Sequence, residues 1–247
     1  MKKGLTRNVT TVLHGLVKYP TLNDRELSKE VGVRHSTVTA IRRRLHERGY
    51  FRTVRIPDVR RLGYELTIVE YGGLNPSASR SEVERFTEAL RRENKGLYYL
   101  LASSDFYLHM SAARNYTSFR RWKEKIEFEF SDTNLFDGTT STSVVLPNGS
   151  RQLAKQFDYS RPLGLIFGLE DEITLEPTSS RIGAAKLTKK ERTVLRGLVE
   201  HPELTDVALS EEIDASRQVV SSMKKRFERS GLIRTSRAVD LRKLGFK

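Results

Sequence analysis

The chain contains no cysteine, so disulfides, thiolate metal sites and cysteine nucleophiles are excluded together. No apolar run approaches the roughly 18 residues that a membrane-crossing helix needs. The basic opening, Met1-Lys2-Lys3-Gly4-Leu5-Thr6, has no apolar stretch behind it and does not read as a secretory signal. The chain is therefore expected to stay in the cytosol, away from membranes. Phosphate-loop, GxSxG, HExxH and paired-carboxylate signatures are missing. His35 has no His, Asp or Glu partner at zinc spacing. No catalytic residue, metal or cofactor is expected.

Negative charge is also scarce. Lys and Arg number 44 against 31 Asp and Glu, a net charge of +13. The excess lies wholly at the ends: residues 1–63 carry about +10 and 186–247 about +6, while 64–185 carry about −3. Two basic modules around a mildly acidic one fit a polyanion partner better than scattered solvated charge, because polyanion binding needs local positive charge.

What the ends contain is a repeat. A shift of 182 positions aligns Leu5–Tyr64 with Leu187–Phe246 without a gap, and about 24 of these 60 positions are identical. Gly15-Leu16-Val17 matches Gly197-Leu198-Val199, Leu27-Ser28 matches Leu209-Ser210, and Gly49 matches Gly231. One folding unit is used twice.

That unit reads as three helices and a β-wing. Val9, Val12, Leu13, Leu16 and Val17 recur at helical spacing, with Pro20 just beyond. Asn23 or Asp24 caps a short second helix, Arg25–Val31, and Gly32 makes the turn that follows. A third helix runs from about His35 to Arg48 with Val38, Ile41 and Leu45 inward, and Gly49 ends it. Tyr50–Ile56 is strand-like, Pro57-Asp58 a turn, and Val59–Leu62 a returning second wing strand. The second copy repeats this with Val194, Leu195, Leu198 and Val199, then Leu209 and Ile213, then Val220, Met223 and Phe227.

A short helix, a tight turn and a helix with a basic outer face make a helix-turn-helix. Removing the core positions leaves Arg34, His35, Ser36, Thr37, Thr39, Arg42 and Arg43 on the first copy's third helix. The second copy offers Ser216, Arg217, Gln218, Val219, Ser221, Lys224 and Lys225. Singly, each reads as a solvated helix face. As a set on a repeated third helix they point to double-stranded DNA, with Ser36, Thr37, Arg217 and Gln218 reading bases and the Arg and Lys one turn later reaching phosphates. Arg52, Arg55, Arg60 and Arg61, with Arg234, Arg237, Arg242 and Lys243, would place backbone contacts on the wings.

The pattern Leu27-Ser28-Lys29-Glu30-Val31-Gly32-Val33, Ser36-Thr37-Val38, and Leu45 through Gly49-Tyr50-Phe51 resembles the N-terminal domain of the Lrp/AsnC (feast/famine) transcription regulators. In the centre, Leu66–Tyr71, Leu97–Ala102, Phe106–Ala112 and Thr140–Leu146 read as strands, and Ser81–Glu93 and Ser118–Phe130 as amphipathic helices. This β-α-β-β-α-β order is the split-βαβ, ferredoxin-like arrangement, similar to the effector domain of the same regulators. The resemblance implies a homodimer joined through the centre and a small-molecule effector between subunits. It reaches one candidate effector residue, Asp105, in Ala102-Ser103-Ser104-Asp105-Phe106, a turn that lacks the family's glycine. Asp105 also reads as a turn residue bonding its own backbone.

The expected architecture is α+β: a winged helix-turn-helix over 1–63, a ferredoxin-like domain over 64–150, a linker over 151–185 holding a short strand at Leu163–Phe167, and a second winged helix-turn-helix over 186–247. The expected function is a sequence-specific, nucleoid-associated transcription regulator. Two other classes compete. Lrp-like folds also resemble siroheme decarboxylases, for which His109, Arg114, Tyr98, Tyr99 and Tyr107 would be the pocket residues; on a strand period of two, His109 reads instead as a sheet-surface residue. A non-specific architectural protein would fit the charge, but the two third helices differ where they would meet bases.

Overall fold

The computed structural model describes residues 5–138, 141–148, 159–169 and 183–245. In chain order, the N-terminal segment comprises α1 (Arg7–Lys18), α2 (Asp24–Val31), α3 (His35–Glu47) and β1 (Phe51–Pro57). The centre follows with β2 (Leu66–Gly73), α4 (Arg80–Glu93), β3 (Leu97–Ala102), β4 (Phe106–Ala113), α5 (Tyr116–Glu129) and β5 (Thr142–Pro147). Then come α6 (Ser160–Phe167), α7 (Lys189–Glu200), α8 (Asp206–Glu212), α9 (Arg217–Arg229) and β6 (Ile233–Val239). Thr140 and most of the 151–185 segment lie outside the described residues. Among the described residues, no helix is long and apolar enough to cross a membrane.

Two compact units result: one from 1–58, 152–178 and 186–247, the other from 59–151 and 179–185. In the first, both copies of the repeat build the same three-helix packing. Asn23 caps α2 in a capping box, its side chain accepting from the Glu26 amide at 3.0 Å while Glu26 accepts from the Asn23 amide at 3.0 Å. Gly32 ends α2 in the left-handed region at φ 65°, and its counterpart Asp214 holds φ 49° with a side chain attached. Gly15 and Gly197 let the first and second helices touch: a Cβ would lie 2.3 Å from Val31 Cγ1 at Gly15 and 2.7 Å from Ile213 Cγ2 at Gly197.

The expected wing hairpins do not form. Val59–Leu62 is a single 3-10 turn, as is Leu241–Leu244. Asp240 shows why in the second copy, because its side chain accepts from the Arg242 amide at 3.1 Å and caps a turn instead of starting a strand. The strands find each other instead. β1 and β6 pair antiparallel from Phe51↔Val239 to Pro57↔Ile233. The register is centred on Val54↔Ser236, which are equivalent positions of the repeat, so exchanging the copies maps the pairing onto itself.

Each strand also packs on the other copy. Val239 of β6 joins the N-terminal core with Val12, Leu13, Leu16, Leu27, Val38, Leu45 and Phe51. Leu163 of α6 is buried in that core as well. The strand expected at Leu163–Phe167 is thus a helix. Pro162 sits in its first turn, where a missing N–H costs nothing, and Gly168 closes it at φ 62°.

The second unit is a four-stranded antiparallel sheet in the order β3-β4-β2-β5, within the β-α-β-β-α-β succession read from the sequence. Its core gathers Ile68, Phe86, Leu90, Phe119, Trp122, Ile126 and Phe130. Phe86 meets the edges of Tyr107 at 5.0 Å and Phe130 at 5.6 Å.

Candidate nucleic-acid interface

The sequence of each three-helix unit decides which side chains of its third helix remain available. Val38, Ile41 and Leu45 of α3, and Val220 and Phe227 of α9, are buried against the first two helices. The opposite faces turn outward. Arg34, His35, Ser36, Thr39 and Arg43 are exposed and Thr37 half-buried; Ser216, Arg217, Gln218 and Lys225 are exposed, with Val219 and Ser221 half-buried. The helices start differently. Ser216 caps α9, its hydroxyl accepting from the Val219 amide at 3.4 Å, whereas α3 begins at Arg34 without a side-chain cap.

Two expected phosphate contacts are engaged within the fold. Arg42 forms an ion pair with Asp24, and its counterpart Lys224 pairs with Asp206 at 3.0 Å. The same staple therefore ties the second helix to the third in both copies. Partial burial opposes ionisation of Asp24, but hydrogen bonds from Arg42 and Thr39 and the Arg42 charge outweigh it and hold the carboxyl below its ordinary range. Asp206 behaves alike: burial opposes, while Lys224 and Ser221 prevail.

Arg55 and Arg237 correct the sequence reading outright. Expected on exposed wings, they are 8% and 5% exposed. They stand one residue from the centre of the β1–β6 register, where their side chains enter the space between the strand pair and the opposite copy's helices. Arg55 Nη1 donates to the Leu198 carbonyl at 3.2 Å, and Arg237 Nη2 donates to the Pro20 carbonyl at 3.0 Å. Arg237 also lies 5.1 Å over the Phe51 ring. Burial pushes the Arg237 guanidinium down to about 10 and lowers Arg55 as well. These equivalent arginines join the copies and do not face solvent.

Sequence reasoning missed Ser222 and Arg229. With Ser216, Arg217, Gln218, Ser221 and Lys225 they line an open groove along α9. The signal was present, since Gln218, Ser222, Lys225 and Arg229 follow a helical period on one stripe. The equivalent stripe of α3 is Ser36, Ala40, Arg43 and Glu47, in which Arg43 approaches Glu47 at 3.9 Å. The α9 face therefore carries more cationic charge along its length than the α3 face.

In the central unit, Asp105 is exposed in the β3–β4 turn and accepts from the Ser103 hydroxyl at 2.8 Å. His109 is fully buried, so its face is the covered one and not the sheet surface. Its ring stands 5.6 Å from Trp122, and burial keeps the imidazole below its ordinary range despite nearby Glu70. Glu70 pairs with Lys123 at 3.1 Å in the same layer. Tyr99 pairs with Met110, and so lies on the sheet face opposite Tyr107 and His109, while Tyr98 and Arg114 are exposed. The five residues of the decarboxylase alternative are not gathered into one pocket. Among the described residues, no group of three His, Asp or Glu is placed to hold a metal ion.

No family model and no curated protein matches the chain. Solved structures do. An AsnC family transcriptional regulator from Agrobacterium tumefaciens is 17% identical with a TM-score of 0.45, over 57% of this chain and 90% of that one. LrpC of B. subtilis is 17% identical with a TM-score of 0.43, over 59% of this chain and 95% of that one. A transcriptional regulatory protein of the AsnC family from Pyrococcus furiosus is 18% identical with a TM-score of 0.46, over 65% of this chain and 98% of that one.

Proposed function

We propose that this chain is a sequence-specific transcription regulator that binds double-stranded DNA through two helix-turn-helix units, one per copy of the repeat. The observation that carries this reading is the duplicated third helix. In each copy, a buried apolar stripe fixes the helix and leaves its first turn outward with hydrogen-bonding and cationic side chains, Arg34, His35 and Ser36 in one and Arg217 and Gln218 in the other. Such a turn fits a major groove, where Arg and Gln recognise guanine and adenine edges and Lys or Arg a turn later meets phosphate. Arg43 and Lys225 are the later contacts.

Two chains pair through the central sheet. The face away from α4 and α5 exposes Tyr71, Tyr99, Leu101, Phe106, Val144 and Leu146, an apolar surface that a second copy would cover. Asp105 is the candidate contact for a small-molecule effector, and the cytoplasm is the place of action.

A competition titration at about 150 mM salt tests this. A genomic fragment selected by the protein should bind on the order of a thousandfold tighter than random duplex. Affinity should also fall steeply with added salt, as phosphate contacts release counterions. Equal affinity for every duplex would overturn the reading.

A further inference from the structure

We infer that one chain is a complete two-headed DNA reader, and that its target is an asymmetric duplex site made of two dissimilar half-sites in fixed order. This rests on the DNA-binding reading above and adds the form of the site. The paired β1 and β6 strands relate the two copies by an approximate two-fold centred on Val54↔Ser236. Arg55 on the Leu198 carbonyl and Arg237 on the Pro20 carbonyl close the arrangement from both sides, and Val239 enters the opposite core. Two-fold helix-turn-helix pairs present their third helices to half-sites about 10–10.5 base pairs apart, and the symmetry of the site mirrors that of the protein.

Here the symmetry extends to the backbone and stops at the reading faces. His35 and Ser36 stand where Arg217 and Gln218 stand, and Glu47 replaces Arg229 at the far end of the stripe. The half-site under α9 presents adjacent guanine and adenine edges to Arg217 and Gln218. The half-site under α3 meets an uncapped helix start with Arg34 and His35, and a less cationic flank. A palindrome satisfies one head and mismatches the other, so the chain reads direction along the duplex.

The test has two arms. Val54→Cys with Ser236→Cys places the only two thiols of the chain on facing strand positions, and antiparallel partners lie within disulfide reach. Mild oxidation should give a crosslinked monomer on a non-reducing gel. A crosslinked dimer, or no crosslink, would overturn the single-chain reader. In the second arm, the full chain selects sites from a random duplex pool. The expected motif has two unlike halves, A and B, with A–B bound roughly tenfold or more tighter than either A–A or B–B, as one lost bidentate contact implies. Arg217→Ala with Gln218→Ala should erase preference in one half only. A motif whose adjacent half-sites, about one helical turn apart, are identical would overturn the inference, whether one chain or a pair of chains occupies the whole site. Recovery of no motif at all would instead overturn sequence-specific binding, with the crosslink result still deciding how the copies pair.

Discussion

The two copies of the three-helix unit agree where they face inward and differ where they face out. Gly15 and Gly197, Leu27 and Leu209, Val38 and Val220, and the Asp24–Arg42 and Asp206–Lys224 staples are kept in matching places. The third helices keep an apolar residue at each inward position, Val38 and Val220, Ile41 and Met223, Leu45 and Phe227, and exchange nearly all the rest. Packing constrains the first set, because interiors are dense and transmit any change in volume. Solvent-facing positions answer only to what they bind. The divergence therefore lies on the exposed faces and leaves the fold alone.

Three comparisons sharpen or break that equivalence. The largest effect is expected from Leu27→Ala and Leu209→Ala, both at fully buried positions. Each should lose about 2–5 kcal/mol in urea unfolding, and a loss in one copy alone would mean that the copies are not equally packed. Next come Gly15→Ala and Gly197→Ala, which drive a methyl against a β-branched neighbour in each copy. About 1–3 kcal/mol is expected from overpacking, the greater cost falling at Gly15, where the approach is closer. The smallest effect belongs to the staples. Both carboxyls lie below their ordinary range when folded. Their contribution is thus present above the unfolded value near pH 3.9 and is lost as pH falls through the lower native value. Asp24→Asn and Asp206→Asn should each cost about 0.5–1 kcal/mol at pH 7 and almost nothing near pH 2. An acid limb flattened by one variant and untouched by the other would separate the copies.

Much of this was legible in the sequence, for local reasons. The helices announced themselves through apolar spacing and through caps such as Asn23 with Glu26, and Gly32 marked its turn. The central succession of strands and helices followed from periodicity as well. What escaped was non-local. A strand's pattern does not name its partner, so sequence alone pairs β1 with the nearby Val59–Leu62, whereas its partner lies in the other copy. Arg55 and Arg237 looked exposed because arginines usually are, and only the pairing shows that they have backbone carbonyls to meet. Leu163–Phe167 is too short an apolar run for period alone to tell strand from helix. At His109 the alternation correctly joined it with Tyr107 and Ser111, but a period of two says which residues share a face and not which face is covered.

The pairing of Phe51 with Val239 has a consequence for synthesis. About 180 residues separate the two strands, so at ribosomal rates of 5–20 residues per second β1 emerges roughly 10–40 s before its mate. For that interval the nascent chain carries an unpaired strand edge, the kind of surface that recruits neighbouring chains. Arg52, Arg55 and Pro57 lie along it, and charge and proline are the residues that discourage such encounters. The same arginine that later bridges the copies thus guards the strand while it waits.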